Sequence, residues 1–438
     1  YIFMVEKEFD VNEHLNLPVN LVFKNVDNYY VIVAPDKPNW LIVDTKEKDL
    51  FVLLCKNTIL DALILYKKQI NISEEACILI LQKLLSKIDA IDFYENISSK
   101  SEDAIAKIVK SIHITTTNDC NLRCKHCYMS AGIKYQDYLD LNLLVHKIEE
   151  IEKFYDSKLD IVVSGGEPLL HPDIERFLDL IKKHHVILFT NGLLINERNV
   201  KVIAETCDSV QLSMEGISKE SFELIRGLGS YERFRKSILL LIKYNVRIVL
   251  AITVLPNTVE DIRRNLVSFI KSLDYKNIEI RLNHEIEISG NAINNYSDLK
   301  HKENIEDIML DLVKSLIDIG INYESKSERN VKFTNCGIGA SIVFEADGKV
   351  YPCSKYSDIY RELTDNIIDT IKYFDSLNNQ TSCVHMLRCH DCELKYICAG
   401  GCKIDNYKKN CDLLIPNCNR VFKYNQYKRL VKDYLRDN

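Results

Sequence analysis

The 438-residue sequence predicts an α/β fold: a partial (β/α)6 TIM barrel, preceded by a winged-helix module and followed by a cysteine-rich domain. Three observations predict it. Between residues 111 and 283, six apolar strand-like runs alternate with helical patterns, which implies a parallel sheet covered by helices. The cysteines concentrate in two places, three at 120, 124 and 127 and nine between 336 and 418. The first hundred residues read as strands followed by helices and take no part in the repeat. These shifts place domain boundaries at 1–100, 101–325 and 326–438.

Composition narrows the function. A net charge of −6 and a pI near 6.1 give no general affinity for nucleic acid. No secretory signal pattern and no apolar run of about 18 residues is present, so neither export nor a membrane is expected. Fifteen cysteines in a chain of this length, clustered as they are, fit metal-bound thiols in a reducing cytoplasm better than disulfides.

In the first module, runs at 21–26 and 29–33 flank Asp27-Asn28, a hairpin turn signal, and 39–44 reads as a third strand. Helices are expected at 46–56, 60–69 and 73–88. Ser73 would cap the last of these, with Glu74 and Glu75 in its first turn. Strands then helices is a winged-helix order, a fold that often binds DNA. The segment holds 11 Lys, no Arg and 15 Asp plus Glu, so its charge is 11 − 15 = −4. A DNA reader without arginine would be unusual. Cys55 and Cys77 fall on apolar helix faces and read as core thiols, as does Cys207 further on. Residues 94–110 read as a polar connector with a short helix.

The repeat that follows puts strands at 112–116, 159–164, 186–190, 209–214, 247–254 and 277–283. Helices read at 143–154, 173–183 and 262–273. In such barrels function sits at the carboxyl ends of the strands. There the sequence places Cys120, Cys124 and Cys127 after the first strand, Gly165-Gly166-Glu167-Pro168 after the second and Thr190-Asn191-Gly192 after the third. Ser213-Met214-Glu215-Gly216 ends the fourth. Closely spaced thiolates are ligands for an iron–sulfur cluster or for zinc. Three thiols leave one iron of a four-iron cube open for chemistry, whereas zinc would want a fourth ligand. Asn191 taken alone suits a left-handed turn as well as a ligand contact, and Arg226 suits a surface salt bridge as well as an anion. Residues 292–304 read as polar loop, before a helix at 305–319.

Cys120-x(3)-Cys124-x(2)-Cys127 followed by Tyr128 resembles the motif of the radical S-adenosylmethionine (SAM) enzymes. The resemblance implies that the three cysteines hold a catalytic [4Fe–4S] cluster whose open iron chelates SAM. One electron would then yield methionine and a 5′-deoxyadenosyl radical. It also implies SAM contacts from His126 near the adenine, from Tyr128, and from Gly165, Gly166 and Glu167 at the amino group. Asn191 and Ser213 would add further contacts, and Arg226 would meet the carboxylate. Glu215 stands where the family has Asp.

In the tail, Cys336, Gly348 and Cys353 fit C-x(11)-G-x(4)-C, with Asp347-Gly348 as a turn. Cys389, Cys392, Cys398 and Cys402 then follow as C-x(2)-C-x(5)-C-x(3)-C, and Cys418 lies beyond. This register resembles the SPASM extension of radical SAM enzymes; zinc knuckles are the competing reading of C-x(2)-C. The resemblance implies two auxiliary [4Fe–4S] clusters, three clusters in all. Cys336, Cys353 and Cys402 would hold the nearer one, and Cys389, Cys392, Cys398 and Cys418 the outer one. The nearer one either recruits Cys383 or Cys411 as a further ligand or keeps an open iron; the spacing favours the open iron.

The first module is similar to the RiPP recognition element, the peptide-chaperone-like domain that binds the leader of a precursor peptide as an added strand. Together the resemblances imply a maturase of ribosomally made peptides of the thioether-forming sactipeptide and ranthipeptide type. Its expected partners are a precursor peptide and a ferredoxin or flavodoxin as electron donor. Carbon–carbon crosslinking, sulfatase-maturase-like formylglycine formation and an iron–sulfur DNA-binding sensor are the alternatives.

Overall fold

The computed structural model describes residues 2–3, 8–95, 111–129, 131, 137–299, 305–321, 328–355 and 358–437. The short helix expected within 94–110 falls mostly outside these residues. Two strands, β1 (Ile2–Phe3) and β2 (Glu8–Phe9), pair first. A three-stranded antiparallel sheet follows, from β3 (Val22–Val26), β4 (Tyr29–Ala34) and β5 (Asn39–Val43), in the order β3-β4-β5. The turn at Asp27-Asn28 puts Asp27 at φ 53°, as a two-residue hairpin requires.

Helices α1 (Thr45–Leu54), α2 (Ile59–Ile70) and α3 (Glu74–Ala90) cover one face of that sheet. Asp44 and Glu47 form a reciprocal capping box on α1, and Ser73 caps α3. Cys77 is buried as expected; Cys55 is not, because it lies at the exposed C-cap of α1 where the apolar stripe has already turned away.

The second sheet runs through β6 (Ser111–Thr115), β7 (Asp160–Ser164), β8 (His185–Thr190), β9 (Ser209–Met214), β10 (Ile248–Thr253) and β11 (Ile278–Asn283), all parallel. Helices α4 (Leu141–Tyr155), α5 (Ile174–Ile181), α6 (Asn199–Thr206), α7 (Lys219–Arg226), α8 (Tyr231–Lys243) and α9 (Val259–Leu273) connect them. Ile112 and Ile114, Ile161 and Val163, and Val210 and Leu212 join these helices in one core. The alternation of strand side chains therefore turns His113, Thr115, Ser164, Gln211 and Ser213 to the opposite face.

The stretch expected as loop at 292–304 carries two single-turn helices in its described part, α10 (Asn291–Asn294) and α11 (Tyr296–Leu299). Helix α12 (Ile305–Ile317) follows. Then β12 (Ser341–Phe344) adds parallel to β6, and β13 (Lys349–Tyr351) and β14 (Arg361–Glu362) extend the sheet antiparallel. The Asp347-Gly348 turn joins β12 and β13, with Gly348 at φ 83°. The chain ends with α13 (Ile367–Gln380), α14 (Lys395–Cys398), α15 (Lys403–Asn410) and α16 (Arg420–Asp437).

The chain forms two compact units. One takes residues 1–106, 325–336 and 379–438, the other 107–324 and 337–378. In the first, Tyr427, Leu430 and Val431 of α16 bury the second face of the small sheet against Val26, Val31, Val33, Trp40 and Ile42. No helix among the described residues is long and apolar enough to cross a membrane.

Candidate functional site

Because strands β6 to β9 are parallel, their carboxyl ends share one edge of the large sheet. The cysteine loop after β6 is stitched to that edge by backbone. Gly166 N donates to Thr117 O (2.7 Å) and Glu167 N to Asp119 O (2.8 Å). A Cβ on Gly166 would come within 2.2 Å of Asp119 O, so only glycine permits this approach. Further along, Lys125 N donates to Ile225 O (3.2 Å), and Asn291 N to Cys127 O (2.8 Å).

Glu167 is fully buried and commits both oxygens to the next strand end. Oε1 accepts from the Thr190 hydroxyl (2.7 Å) and Oε2 from Asn191 N (2.8 Å). Burial pushes its carboxyl up, and these bonds oppose the shift. Asn191 in turn donates to Asn121 Oδ1 (2.7 Å) and lies 3.8 Å from Cys120 Sγ. Asn191 therefore braces the cysteine loop itself.

Arg226 is buried, and its guanidinium is taken by Glu215. Nη2 donates to Oε1 at 2.8 Å and Nε donates to Oε2. Burial alone would raise the Glu215 carboxyl; Arg226 and His126 outweigh it and hold the carboxyl below its usual range. His126 Nε2 stands 3.3 Å from Glu215, and its Nδ1 is buried without a hydrogen-bond partner among the described residues. Burial also pushes the Cys124 thiol up to about 12, so a metal would have to displace its proton on binding. Cys120 and Cys127 act electrostatically on Cys124, and among the described residues no three potential ligands converge on a single-ion point. An orphaned nitrogen in the loop that carries the three thiols fits a cluster with a nucleoside ligand. Ser213 lies on the sheet face turned away from the helices; Tyr128 is 58% exposed.

Sequence reasoning missed two acids. Glu215 was legible only as a departure from a motif, and its grip on Arg226 is a tertiary fact. Glu345, immediately after β12, sits beside Thr115, whose hydroxyl donates to it, and its charge is felt by Tyr128. Ile342 and Phe344 face the helical core, so alternation past β12 would have turned Glu345 to the Ser213 face. Burial pushes its carboxyl up.

In the first unit, Cys389, Cys392, Cys398, Cys402 and Cys418 line one cavity of about 400 Å³. Among the described residues no three potential ligands converge on a single-ion point. Thiols spread around a cavity suit a polynuclear cluster. Arg388, Lys395, Arg420 and Lys423 also line it, which favours an anionic occupant. Cys336 belongs to this unit and Cys353 to the other. Cys383 is fully buried with Met386 and Cys389, whereas Cys411 is exposed at the end of α15.

Comparison with known proteins agrees with this geometry. The model of the Radical SAM superfamily matches residues 114–270. The cysteine-type anaerobic sulfatase-maturating enzyme of Clostridium perfringens (strain 13 / Type A) is 25% identical over 326 residues, covering 66% of this chain and 86% of that enzyme. The antilisterial bacteriocin subtilosin biosynthesis protein AlbA of Bacillus subtilis (strain 168) is 26% identical over 254 residues, 55% of this chain and 54% of AlbA. Streptococcus suis SuiB superposes with a TM-score of 0.56 both with S-adenosylmethionine (15% identity) and with precursor peptide SuiA (14%). Each superposition covers 91% of this chain and 98% of SuiB. The stretch matched by the Radical SAM superfamily model, residues 114–270, contains the cysteine loop and nearly all of the first five parallel strands, so the similarity and the geometry fall on the same part of the chain.

Proposed function

We propose that the chain is a maturase of a ribosomally synthesised peptide that joins cysteine sulfur to carbon in thioether crosslinks. The observation that carries this reading is that a chain similar to the Radical SAM superfamily over residues 114–270 also contains a small sheet with an open edge strand. Among the described residues strand β3 pairs only with β4, and its central residues Phe23, Lys24 and Asn25 are exposed. A precursor leader would dock there as an added strand, held by backbone hydrogen bonds that need no positive charge. This assigns the small sheet and its three helices as the recognition module, and SuiB, solved with precursor peptide SuiA, is a structural precedent.

Cys120, Cys124 and Cys127 would hold the catalytic cluster. With SAM, such a cluster supplies a 5′-deoxyadenosyl radical that abstracts hydrogen from carbon. His126 Nδ1 would bond the adenine, and Tyr128 would add a further SAM contact. The Gly165-Gly166-Glu167 turn would receive the amino group, and Ser213 would offer its hydroxyl. Arg226, already neutralised by Glu215, would steer the SAM carboxylate through its remaining N–H groups. Cys389, Cys392, Cys398 and Cys418 would hold an outer auxiliary cluster around their cavity. Cys336, Cys353 and Cys402 would hold a nearer one. The domain's task is then to exclude water and hold the target carbon close.

Anaerobic reconstitution should give about three four-iron clusters, roughly twelve irons per chain. The triple variant Cys120→Ala, Cys124→Ala, Cys127→Ala should lose about four irons and all SAM cleavage while its auxiliary absorption remains. Retained cleavage would falsify the catalytic assignment. A cysteine-rich peptide encoded beside the gene should lose two hydrogens per crosslink and become resistant to thiol alkylation. The similarity to a sulfatase-maturating enzyme over 86% of its length favours one second reading, oxidation of cysteine to formylglycine. A hydrazide-reactive product would select it, and carbon–carbon crosslinking would leave the thiols open to alkylation.

A further inference from the structure

Lys403 is fully buried. A buried ammonium is retained in a fold only when hydrogen bonds and a negative partner compensate it. Two of its three N–H groups are satisfied by the loop just before it: Nζ donates to Ala399 O (2.7 Å) and Gly401 O (3.3 Å). The loop is shaped for this. Ala399, Gly400 and Gly401 take φ of 53°, 75° and 72°, three successive left-handed residues that fold the segment between Cys398 and Cys402 around the ammonium. A Cβ on Gly400 would stand 3.0 Å from Lys403 Nζ, 2.5 Å from Met386 Sδ and 3.3 Å from Cys383 Cβ. The glycine keeps that space clear.

What remains for the charge is a negative partner. Burial is the strongest influence on the ammonium and pulls its pKa below the usual lysine value; the thiols of Cys336, Cys383, Cys389 and Cys398, reaching it from separate stretches of chain, oppose that shift. Cys389 and Cys398 also line the 400 Å³ cavity. Lys403 is not itself part of that lining, and the two lysines that are have other partners. Lys423 is spent on Glu393 at 2.7 Å, and Lys395 Nζ donates to His390 O (3.0 Å) in an exposed bond.

We propose that Lys403 is the buried counter-cation of the auxiliary iron–sulfur site, a positioning residue whose fixed charge raises that cluster's reduction potential. The inference rests on the assignment of auxiliary clusters to this unit. Reduction adds an electron to an already anionic centre, and a desolvated cation close behind its thiolates stabilises the reduced form more than the oxidised one. The Lys403 ammonium therefore eases electron uptake from substrate.

The test uses the full chain, reconstituted anaerobically in the Cys120/Cys124/Cys127→Ala background so that only auxiliary clusters report. Iron content and the midpoint potential from an EPR-monitored redox titration are compared for Lys403, Lys403→Met, Lys403→Gln and Lys403→Arg. The expected result is a midpoint shifted to lower potential in the Met and Gln variants and close to the parent in Lys403→Arg. Loss of iron in the Met and Gln variants with retention in Lys403→Arg also supports the inference, since charge is then what the site requires. Unchanged potentials at full iron content overturn it, as does equal iron loss in all three variants. A parent protein with no auxiliary cluster signal would overturn the cluster assignment instead, separately from the role of Lys403.

Discussion

Glu215 holds Arg226 through both carboxylate oxygens, and the same carboxylate stands 3.3 Å from His126 in the cysteine loop. One acid thus ties the end of β9, the end of α7 and the loop expected to carry iron. Breaking a buried pair by removing one partner leaves an uncompensated charge. Glu215→Ala should therefore cost about 3–5 kcal/mol in anaerobic denaturant unfolding. The double variant Glu215→Met, Arg226→Met should recover most of that loss.

Gly166→Ala should act on the cysteine loop while leaving the sheet intact. The added Cβ collides with Asp119 O, so the bonds from Gly166 N and Glu167 N cannot both persist. Iron analysis should show a loss of about four irons with the auxiliary complement unaffected. Full iron content would mean that the loop holds its shape without this contact.

Glu345 gives a pH dependence with a definite sign. Burial raises its folded-state carboxyl above the unfolded value. Its contribution to stability is complete below the unfolded pKa and is lost as pH rises through the folded one. Glu345→Gln removes that loss. Its melting temperature relative to the parent should therefore increase as pH is raised from about 4 to 7. A flat difference over this range would show the carboxyl unperturbed, and a falling one would show it lowered rather than raised.

Removal of residues 1–100 tests how separate the first module is. Its sheet covers Tyr427, Leu430 and Val431 of α16, each worth about 1.5–3 kcal/mol of burial. Tyr427 and Lys423 of that helix also hold Glu393, beside Cys392. The truncated protein should bind 1-anilinonaphthalene-8-sulfonate and lose outer-cluster iron. The point variant Phe23→Asp, on the exposed edge strand, should keep its iron and lose only affinity for a leader peptide.

The sequence was most readable where periodicity and cap chemistry act locally. Strands of the parallel sheet and the Asp27-Asn28 hairpin fell within a residue or two of their expected places, and Ser73 caps α3 as its position suggested. The ordering of motifs along strand ends was equally legible, because parallel topology puts those ends on one edge. What escaped was tertiary. The apolar runs at Tyr29–Ala34 and Asn39–Val43 do not alternate with polar residues, which is how a sheet buried on both faces reads. That pattern announced a second cover but could not name α16. Likewise Arg226 and Glu215 are eleven residues apart, and nothing in their spacing announces a bidentate pair.

The arrangement in which α16 closes a sheet made by the first residues has a consequence for synthesis. Val26, Val31, Val33, Trp40 and Ile42 leave the ribosome long before their cover exists. Roughly 385 further residues must be translated first, about 19–77 s at 5–20 residues per second. During that interval the nascent chain presents a bare apolar sheet face, an invitation to a chaperone or to a neighbouring nascent chain. Yield of the intact protein should therefore respond to the pace of elongation between these two segments, and to trigger-factor-like holdases, more than to the stability of the finished molecule.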